Sequence, residues 1–399
     1  MILINKGSTK LSARHYPKIV KYMGSKSKII NFLIEGVNEV YDGGTVCDLF
    51  SGSATLAGAI GQQCKVHSND IQSYSRIISD TYNLSYHVKY KPSAVEILDE
   101  VKKIVERNRI NKKTNFEDIQ SKEEFLKFED DQKNLINENF NYKWHLFAKY
   151  YSGTWWSYDQ CLWIDALREF SEYHRNTPYY PVLISAIMYA MAYCSQGTGH
   201  YAQYRDAHTA SSLKDILIYR QRSISDYFYR KYIELSNFIP KSPPKTRHES
   251  TTLNYEECLK KISGGTVYAD PPYCFVHYSR FYHALETLVL YDYPSLQKKG
   301  GRVVKGRYRD DRHQSPFCIK TQVPSAFERL FSGVKESGSK LVLSYSNTGM
   351  ITIDFLLDMA KEFFKDKKIK IITTDHRHMT LGRKEDRHRD VQECLILIK

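Results

Sequence analysis

The chain has 399 residues, enough for one large domain or two modest ones, and its 42% of hydrophobic residues excludes a disordered chain. A formal net charge of +13, from 58 Lys+Arg against 45 Asp+Glu, favours a polyanionic partner, because cations that neutralise phosphates release condensed counterions. Solubility alone is the competing explanation, and charge does not choose between them.

No stretch is apolar for the length of a bilayer span, and residues 1–10 lack the apolar core of a signal peptide. A cytoplasmic location and no membrane partner are therefore expected. The eight cysteines include no C-x-x-C pair and no His/Cys cluster with zinc spacing, so reduced thiols are expected, with no metal and no disulfide framework.

In chain order, Lys21-Tyr22-Met23-Gly24-Ser25-Lys26 precedes a helix expected over 28–40. A strand rich in β-formers follows over 45–50 and is broken by Gly52 and Ser53, after which the small and apolar residues 54–60 suit a helix packed close on a sheet. A second strand over 64–68 ends at Asn69-Asp70, giving a βαβ pattern and hence a parallel sheet. From about 73 to 238 apolar residues recur at helical spacing, most clearly over 94–105 and 180–193. The heavily charged stretch 102–133 reads as a solvent-facing part of this region, and Pro240, Pro243 and Pro244 end it. Strands return over 266–269, 340–344, 369–373 and 393–398, with helices over 326–334 and from about 352. The expected fold is α/β, a sheet interrupted by a large, mainly helical insertion. The expected division is residues 1–85 with 260–399 as the catalytic part and 86–259 as the insertion.

The sharpest motif is Asp270-Pro271-Pro272-Tyr273, at the carboxyl end of the strand over 266–269, where open α/β sheets bind ligands. Two prolines fix φ and remove two donors, leaving carbonyls free in a rigid turn. The Asp270 carboxylate and the Pro271 carbonyl can together accept the protons of one exocyclic NH2, and Tyr273 offers a face on which an extruded base can stack. Read alone, the motif is also compatible with an ordinary Pro-Pro turn. In Asp48-Leu49-Phe50-Ser51-Gly52-Ser53 a strand ends in an acid and a glycine turn opens a helix, bringing backbone NH groups close to a ligand. The spacing is neither a dinucleotide fingerprint nor a P-loop, and a plain βα turn explains it as well. Asp48 suits the ammonium group of an amino-acid moiety. Asp70, after the second strand, suits two ribose hydroxyls, or a helix N-cap.

Together, K-Y-M-G-S-K, D-L-F-S-G-S, the acid after the next strand and D-P-P-Y resemble the adenine-N6 DNA methyltransferases of the Dam-like (D12) class in the α arrangement. H-Y-S-R-F-Y-H-A-L-E-T-L-V-L-Y-D after D-P-P-Y, and L-S-Y-S-N-T-G-M further on, also look like part of that class, and the resemblance covers about 16–90 and 264–399. It implies a Rossmann-like, S-adenosyl-L-methionine-dependent fold acting on the N6 amine of adenine flipped out of double-stranded DNA. It places Lys21, Tyr22, Gly24 and Lys26 near the cofactor, Asp48, Phe50 and Gly52 around its methionine and adenosine parts, and Asp70 on its ribose. Asp270, Pro271, Pro272 and Tyr273 hold the target adenine, with Asp270 also beside the cofactor. Where the class often has a further glycine, this chain has Ala54, small enough for a helix start. The implied role is the modification enzyme of a restriction–modification system, with a separate endonuclease as partner.

Two basic loops are candidates for phosphate contact: 300–313, with Arg302, Lys305, Arg307, Arg309 and Arg312, and 376–389, with Arg377, Arg383, Lys384, Arg387 and Arg389. Solvated loop charge is the alternative for each. Ser344-Tyr345-Ser346-Asn347 is a candidate lining of the base pocket, and Tyr201, Gln203, Tyr204 and Arg205 are candidate base contacts. Cytosine-N4 or RNA-adenine methylation, and a catalytically inactive DNA-binding fold, are the rival functions. An acid rather than serine before P-P-Y leans toward adenine, and the absence of any P-C dipeptide argues against C5-cytosine chemistry.

Overall fold

The computed structural model describes residues 10–83, 91–110, 116, 119, 121–196, 200–240, 247–273, 275, 277–379 and 388–399. A seven-stranded sheet runs through the molecule. Its strands are β1 (Val46–Asp48), β2 (Val66–Asn69), β3 (Glu249–Thr251), β4 (Thr266–Ala269), β7 (Lys340–Ser346), β8 (Ile369–Met379) and β9 (His388–Ile398), and β5 (Lys298–Lys299) with β6 (Arg302–Val303) make a separate hairpin. The order across the sheet is β3-β2-β1-β4-β7-β9-β8. The first five are mutually parallel, whereas β9 inserts antiparallel between β7 and β8. The chain moves outward from β1 in one direction and from β4 in the other, so the boundary between these two strands is where the order reverses, the place at which such sheets open a crevice.

The strands β1, β2 and β4 are buried along their whole length, as expected of a sheet covered on both faces. Alternation divides their side chains between two cores. Val46, Tyr268, Val342 and Leu395 face one, and Cys47, Val267, Leu341 and Ile396 face the other. Helices α1 (Ile30–Val40), α2 (Thr55–Ile60) and α3 (Ser73–Asn83) contribute to the first core. So do α4 (Ala94–Asn108), α6 (Leu146–Tyr151), α7 (Tyr158–Glu172), α8 (Tyr180–Cys194) and α10 (Ile224–Phe238), with α13 (His283–Leu290). The second core takes α11 (Tyr255–Lys261), α14 (Val323–Glu336) and α15 (Ile353–Phe363). Helices α5 (Lys122–Lys133) and α9 (Ala210–Arg220) close a small satellite core, and α12 (Tyr278–Phe281) is a single turn ahead of α13.

The elements read from the sequence recur here, and the differences have physical causes. Local capping explains why the helices begin where they do: Ser93 with Glu96 and Ser157 with Gln160 each form a reciprocal capping box. Helix α8 is apolar and buried around nearly its whole circumference, so its strong hydrophobicity carries little directional pattern. The charged stretch 102–133 is not wholly solvent-facing, since Phe125, Glu129 and Gln132 of α5 are buried. Strand β3 falls inside the range expected for the insertion, yet it pairs parallel with β2 and extends the sheet. Its sequence, Glu-Ser-Thr, has no apolar alternation because it is an edge strand. Among the described residues no helix is long and apolar enough to cross a membrane.

Candidate active site

Where β1 and β4 part, their carboxyl ends open into a cavity of about 640 Å³. Its wall includes Tyr22, Gly24 and Lys26 from the segment before α1, Asp48, Phe50 and Gly52 after β1, Asp70 after β2, and Asp270 to Tyr273 after β4. The turn after β1 is fixed at several points. Leu49 N donates to Tyr268 O at 2.9 Å and Ser51 N to Asn69 O at 2.8 Å, continuing the parallel ladder past the strand ends. Gly52 then takes φ +50°, and its N–H donates to Asp70 Oδ2 at 2.8 Å while Gln72 N donates to Oδ1 at 2.9 Å. A Cβ on Gly52 would meet the Tyr22 ring at 3.0 Å, so the glycine serves both the backbone angle and the close approach. Ala54 also lies in the left-handed region, at φ 52°, immediately ahead of α2.

Tyr22 stacks on Tyr282 with centroids 4.7 Å apart and on Tyr278 at 5.6 Å, joining the segment before α1 to α12 and the start of α13. The Tyr282 hydroxyl accepts from Met23 N at 2.7 Å, which secures the same segment by its backbone. From α13, Glu286 accepts from Ser73 N at 3.0 Å and Tyr74 N at 3.1 Å, capping the first turn of α3. Phe50 lies against Tyr255 at 5.8 Å and edge-on to Phe317 at 5.5 Å, forming an aromatic wall opposite.

Behind D-P-P-Y lies a buried charge network. Lys26 Nζ is 3.4 Å from Asp270 Oδ1, 3.0 Å from Glu393 Oε2 and 3.2 Å from the Tyr273 hydroxyl. Tyr273 donates in turn to Glu393 Oε1 at 2.8 Å, and its ring meets Tyr345 edge-on at 5.5 Å. Burial pulls the Lys26 ammonium down, but Asp270 and Glu393 outweigh it and leave its pKa above the ordinary value. Burial pushes the Asp270 carboxyl up to about 6, with Lys26 opposing and Glu393 adding to the rise. Burial likewise raises Asp70 to about 6 against its two backbone hydrogen bonds. Asp48 is raised well above the carboxylate range by burial and then by the nearby Asp270 and Asp70. Its Oδ1 is buried without a hydrogen-bond partner. Among the described residues Lys26 is the only lysine or arginine in the cavity wall, against the carboxylates of Asp48, Asp70, Glu256 and Asp270. The site is short of positive charge and suits a cationic ligand with hydroxyl groups.

Residues 22–322 match the family described as D12 class N6 adenine-specific DNA methyltransferase. The chain belongs to this family. Among curated proteins it is 24% identical over 389 residues to Modification methylase LlaI of Lactococcus lactis subsp. lactis, covering 95% of this chain and 55% of that one. It is 23% identical to Type II methyltransferase M.FokI of Planomicrobium okeanokoites, covering 83% and 45%, and 22% identical to Type II methyltransferase M.NlaIII of Neisseria lactamica, covering 92% and 95%. The chain thus spans about half the length of the first two and nearly all of the third.

For this D12 family member, the residues singled out from sequence divide clearly. Tyr22, Gly24, Lys26, Asp48, Phe50, Gly52, Asp70 and Asp270 to Tyr273 come together in one wall. Lys21 does not: its ammonium lies 4.1 Å over the Tyr193 ring, on the exposed side of the segment. Of the loop 300–313, Arg307 and Arg309 are buried rather than offered to phosphate. Arg307 donates to Lys133 O at 3.3 Å, and Arg309 makes a bidentate pair with Asp292 at 2.7 Å. Lys305 is exposed but bound to Asp206 at 2.8 Å, Arg312 donates to Gln297 at 3.2 Å, and Arg302 is exposed on β6. Arg377 and Arg389 belong to β8 and β9, whereas Arg383, Lys384 and Arg387 lie outside the described residues.

The segment 344–347 backs the site rather than lining it. Ser344, Tyr345 and Ser346 are buried, Asn347 is exposed outside the cavity wall, and Thr348, just past the segment, is in that wall. Of the candidate base contacts, Gln203 is exposed at the cavity; Tyr201 is buried, Tyr204 reaches Glu129 at 3.4 Å and Arg205 pairs with Asp215 at 3.2 Å. Sequence reasoning missed Glu393, Tyr278, Tyr282, Glu286 and Tyr255. The string H-Y-S-R-F-Y-H-A-L-E carried three of these five, but nothing local in it pointed to their partners.

Proposed function

We propose that this chain transfers a methyl group from S-adenosyl-L-methionine to the N6 amine of an adenine flipped out of duplex DNA. The observation that carries this reading is the placement of D-P-P-Y beside the unpartnered Asp48 Oδ1, where the strand order reverses between β1 and β4. The strand order, with an antiparallel strand inserted next to the edge, supports a Rossmann-like methyltransferase sheet. We place the helical insertion between α3 and β3, and assign β3 and α11 to the catalytic part with the flanking chain.

Bound S-adenosyl-L-methionine supplies a methyl group on a sulfonium, an electrophile needing no activation by the protein. Asp48, with its spare acceptor, suits the ammonium of the amino-acid end. Asp70, already oriented by Gly52 N and Gln72 N, suits the ribose hydroxyls. The aromatic wall of Phe50, Phe317 and Tyr255 suits a purine face. The surplus of carboxylates in the cavity wall favours a ligand of net positive charge.

At the target amine, the Asp270 carboxylate and Pro271 carbonyl accept the two N–H groups. That turns the nitrogen lone pair out of conjugation with the ring and toward the electrophile. With a pKa of about 6, Asp270 is ionised at neutral pH and is the acceptor for the proton the nitrogen sheds as the new bond forms. Lys26 and Glu393 keep Tyr273 in place to stack on the base. Positioning and fixed charge supply the acceleration, and no covalent intermediate on the protein is required. The modification methylases among its relatives support a role as a modification enzyme, and a separate endonuclease as its partner is part of the proposal.

The test is transfer of labelled methyl groups to unmethylated DNA followed by nucleoside analysis. We expect label in N6-methyladenine with wild type and a loss of at least about a hundredfold in Asp270→Ala. Label in N4-methylcytosine would overturn the target assignment. Undiminished activity of Asp270→Ala would overturn the mechanism.

A further inference from the structure

On the sheet face away from the helical region, three soft ligands converge from three separate elements. Cys47 on β1, His67 on β2 and Cys258 on α11 are all buried, and one ligand atom from each lies within 4.8 Å of the other two. The two sulfurs are 4.0 Å apart and both cysteines are free thiols. A tetrahedral zinc ion with Zn–S bonds of about 2.3 Å sets its two sulfurs about 3.8 Å apart, so this spacing needs almost no adjustment.

The histidine ring is held at both nitrogens, and a metal on Nε2 would take over its contact with Thr251 Oγ1, whose hydroxyl donates to Asn69 Oδ1 at 2.8 Å. The His67 Nδ1 faces Glu249 Oε2 on β3 at 3.6 Å, and its Nε2 lies 3.0 Å from Thr251 Oγ1. A carboxylate behind the distal ring nitrogen is the usual outer-shell partner of metal-bound histidine, fixing tautomer and ring plane. Hydrogen bonding among two thiols, an imidazole and a hydroxyl accounts for the cluster less completely. Both thiols also pack in the core on this face of the sheet, but packing alone does not call for a histidine between them.

We propose that Cys47, Cys258 and His67 Nε2 bind a zinc ion, with solvent or the Thr251 hydroxyl in the fourth position. Binding releases the two thiol protons and leaves a centre in which two thiolates balance the dication, a neutral unit suited to burial. No local zinc-ligand spacing marks it, because Cys47 and Cys258 are 211 residues apart. The ion would tie α11 to β1 and β2. Since Leu253, Asn254 and Tyr255, at and just before the start of α11, line the cavity, the clamp would also fix that wall.

The test uses the reduced full chain, stripped with chelator and titrated with Co²⁺ and then Zn²⁺. One equivalent of cobalt should give the intense visible ligand-field bands and thiolate charge-transfer absorption of a tetrahedral centre. One equivalent of zinc should bleach them. The bands should be lost in Cys258→Ser and in His67→Gln, with near-native circular dichroism and unchanged cobalt response in the control Cys64→Ser. Absence of these bands in wild type would overturn the proposal, and this arm needs no variant to fold. Bands that persist in both Cys258→Ser and His67→Gln would overturn it equally.

Discussion

Glu393→Gln is the sharpest probe of the site, because the substitution keeps the shape and an acceptor while removing one charge. Lys26 Nζ touches Asp270 at 3.4 Å and Glu393 at 3.0 Å, so the two carboxylates lie no more than about 6.4 Å apart. At that separation and an effective dielectric of about 20, their repulsion is roughly 2–3 kcal/mol. That corresponds to about one to two pKa units on Asp270. The sign is fixed: Glu393 raises Asp270, which stands at about 6, so losing the charge lowers it, and the released Lys26 lowers it further. In single-turnover methyl transfer at saturating cofactor, wild type should lose rate as pH falls through about 6. The Glu393→Gln variant should hold its rate to about pH 5 or below. Its plateau should drop by roughly tenfold, because a charge-assisted pair becomes a neutral hydrogen bond worth about 1–1.5 kcal/mol less. An acid limb that stays at the wild-type position, or moves upward, would refute the assignment of that limb to Asp270 within this network.

Three further outcomes are expected. Ala54→Gly should leave stability within about 1 kcal/mol of wild type at unchanged slope, because relief of the left-handed strain at φ 52° is offset by the loss of a fully buried methyl and by glycine's greater freedom when unfolded; a larger change in either direction would refute it. Arg302→Glu should weaken DNA binding and lower its salt slope by about one. Arg309→Ala should instead leave the slope unchanged while costing about 2 kcal/mol of stability, since its partner Asp292 is partly exposed. A reduced slope for Arg309→Ala would mean that the guanidinium leaves Asp292 for phosphate.

The parts of this molecule that were legible in sequence are those fixed by neighbours along the chain. The strand Thr266–Ala269 ends where D-P-P-Y says it must, and the turn at Gly52 declares itself through its glycine. What escaped is carried by pairs far apart in the chain. Glu393 meets Lys26 across 367 residues, and its own strand reads as a plain apolar run. Strands β8 and β9 were seen only in their apolar inner halves, because the outer halves run through polar residues that carry no core-facing pattern. Arg307 and Arg309 were counted as surface charge because a tally of basic residues contains no information about which of them finds an internal partner. The family resemblance puts Lys21 together with Lys26, although the two ammonium groups end on different sides of one short segment.

The deficit of positive charge around the cavity also bears on what the site refuses. Adenosine is common to many cellular metabolites, and most of them carry it on phosphates. An aromatic wall and a ribose acceptor would hold the nucleoside of any of these compounds. Asp70 and Asp270, half-buried in the cavity wall and with Lys26 already committed to Asp270 and Glu393, would repel a phosphate chain entering the same space. If the proposed cofactor is the ligand, the same carboxylates that suit its cation disfavour nucleotides, and selectivity among adenosine compounds would be set by charge rather than by shape.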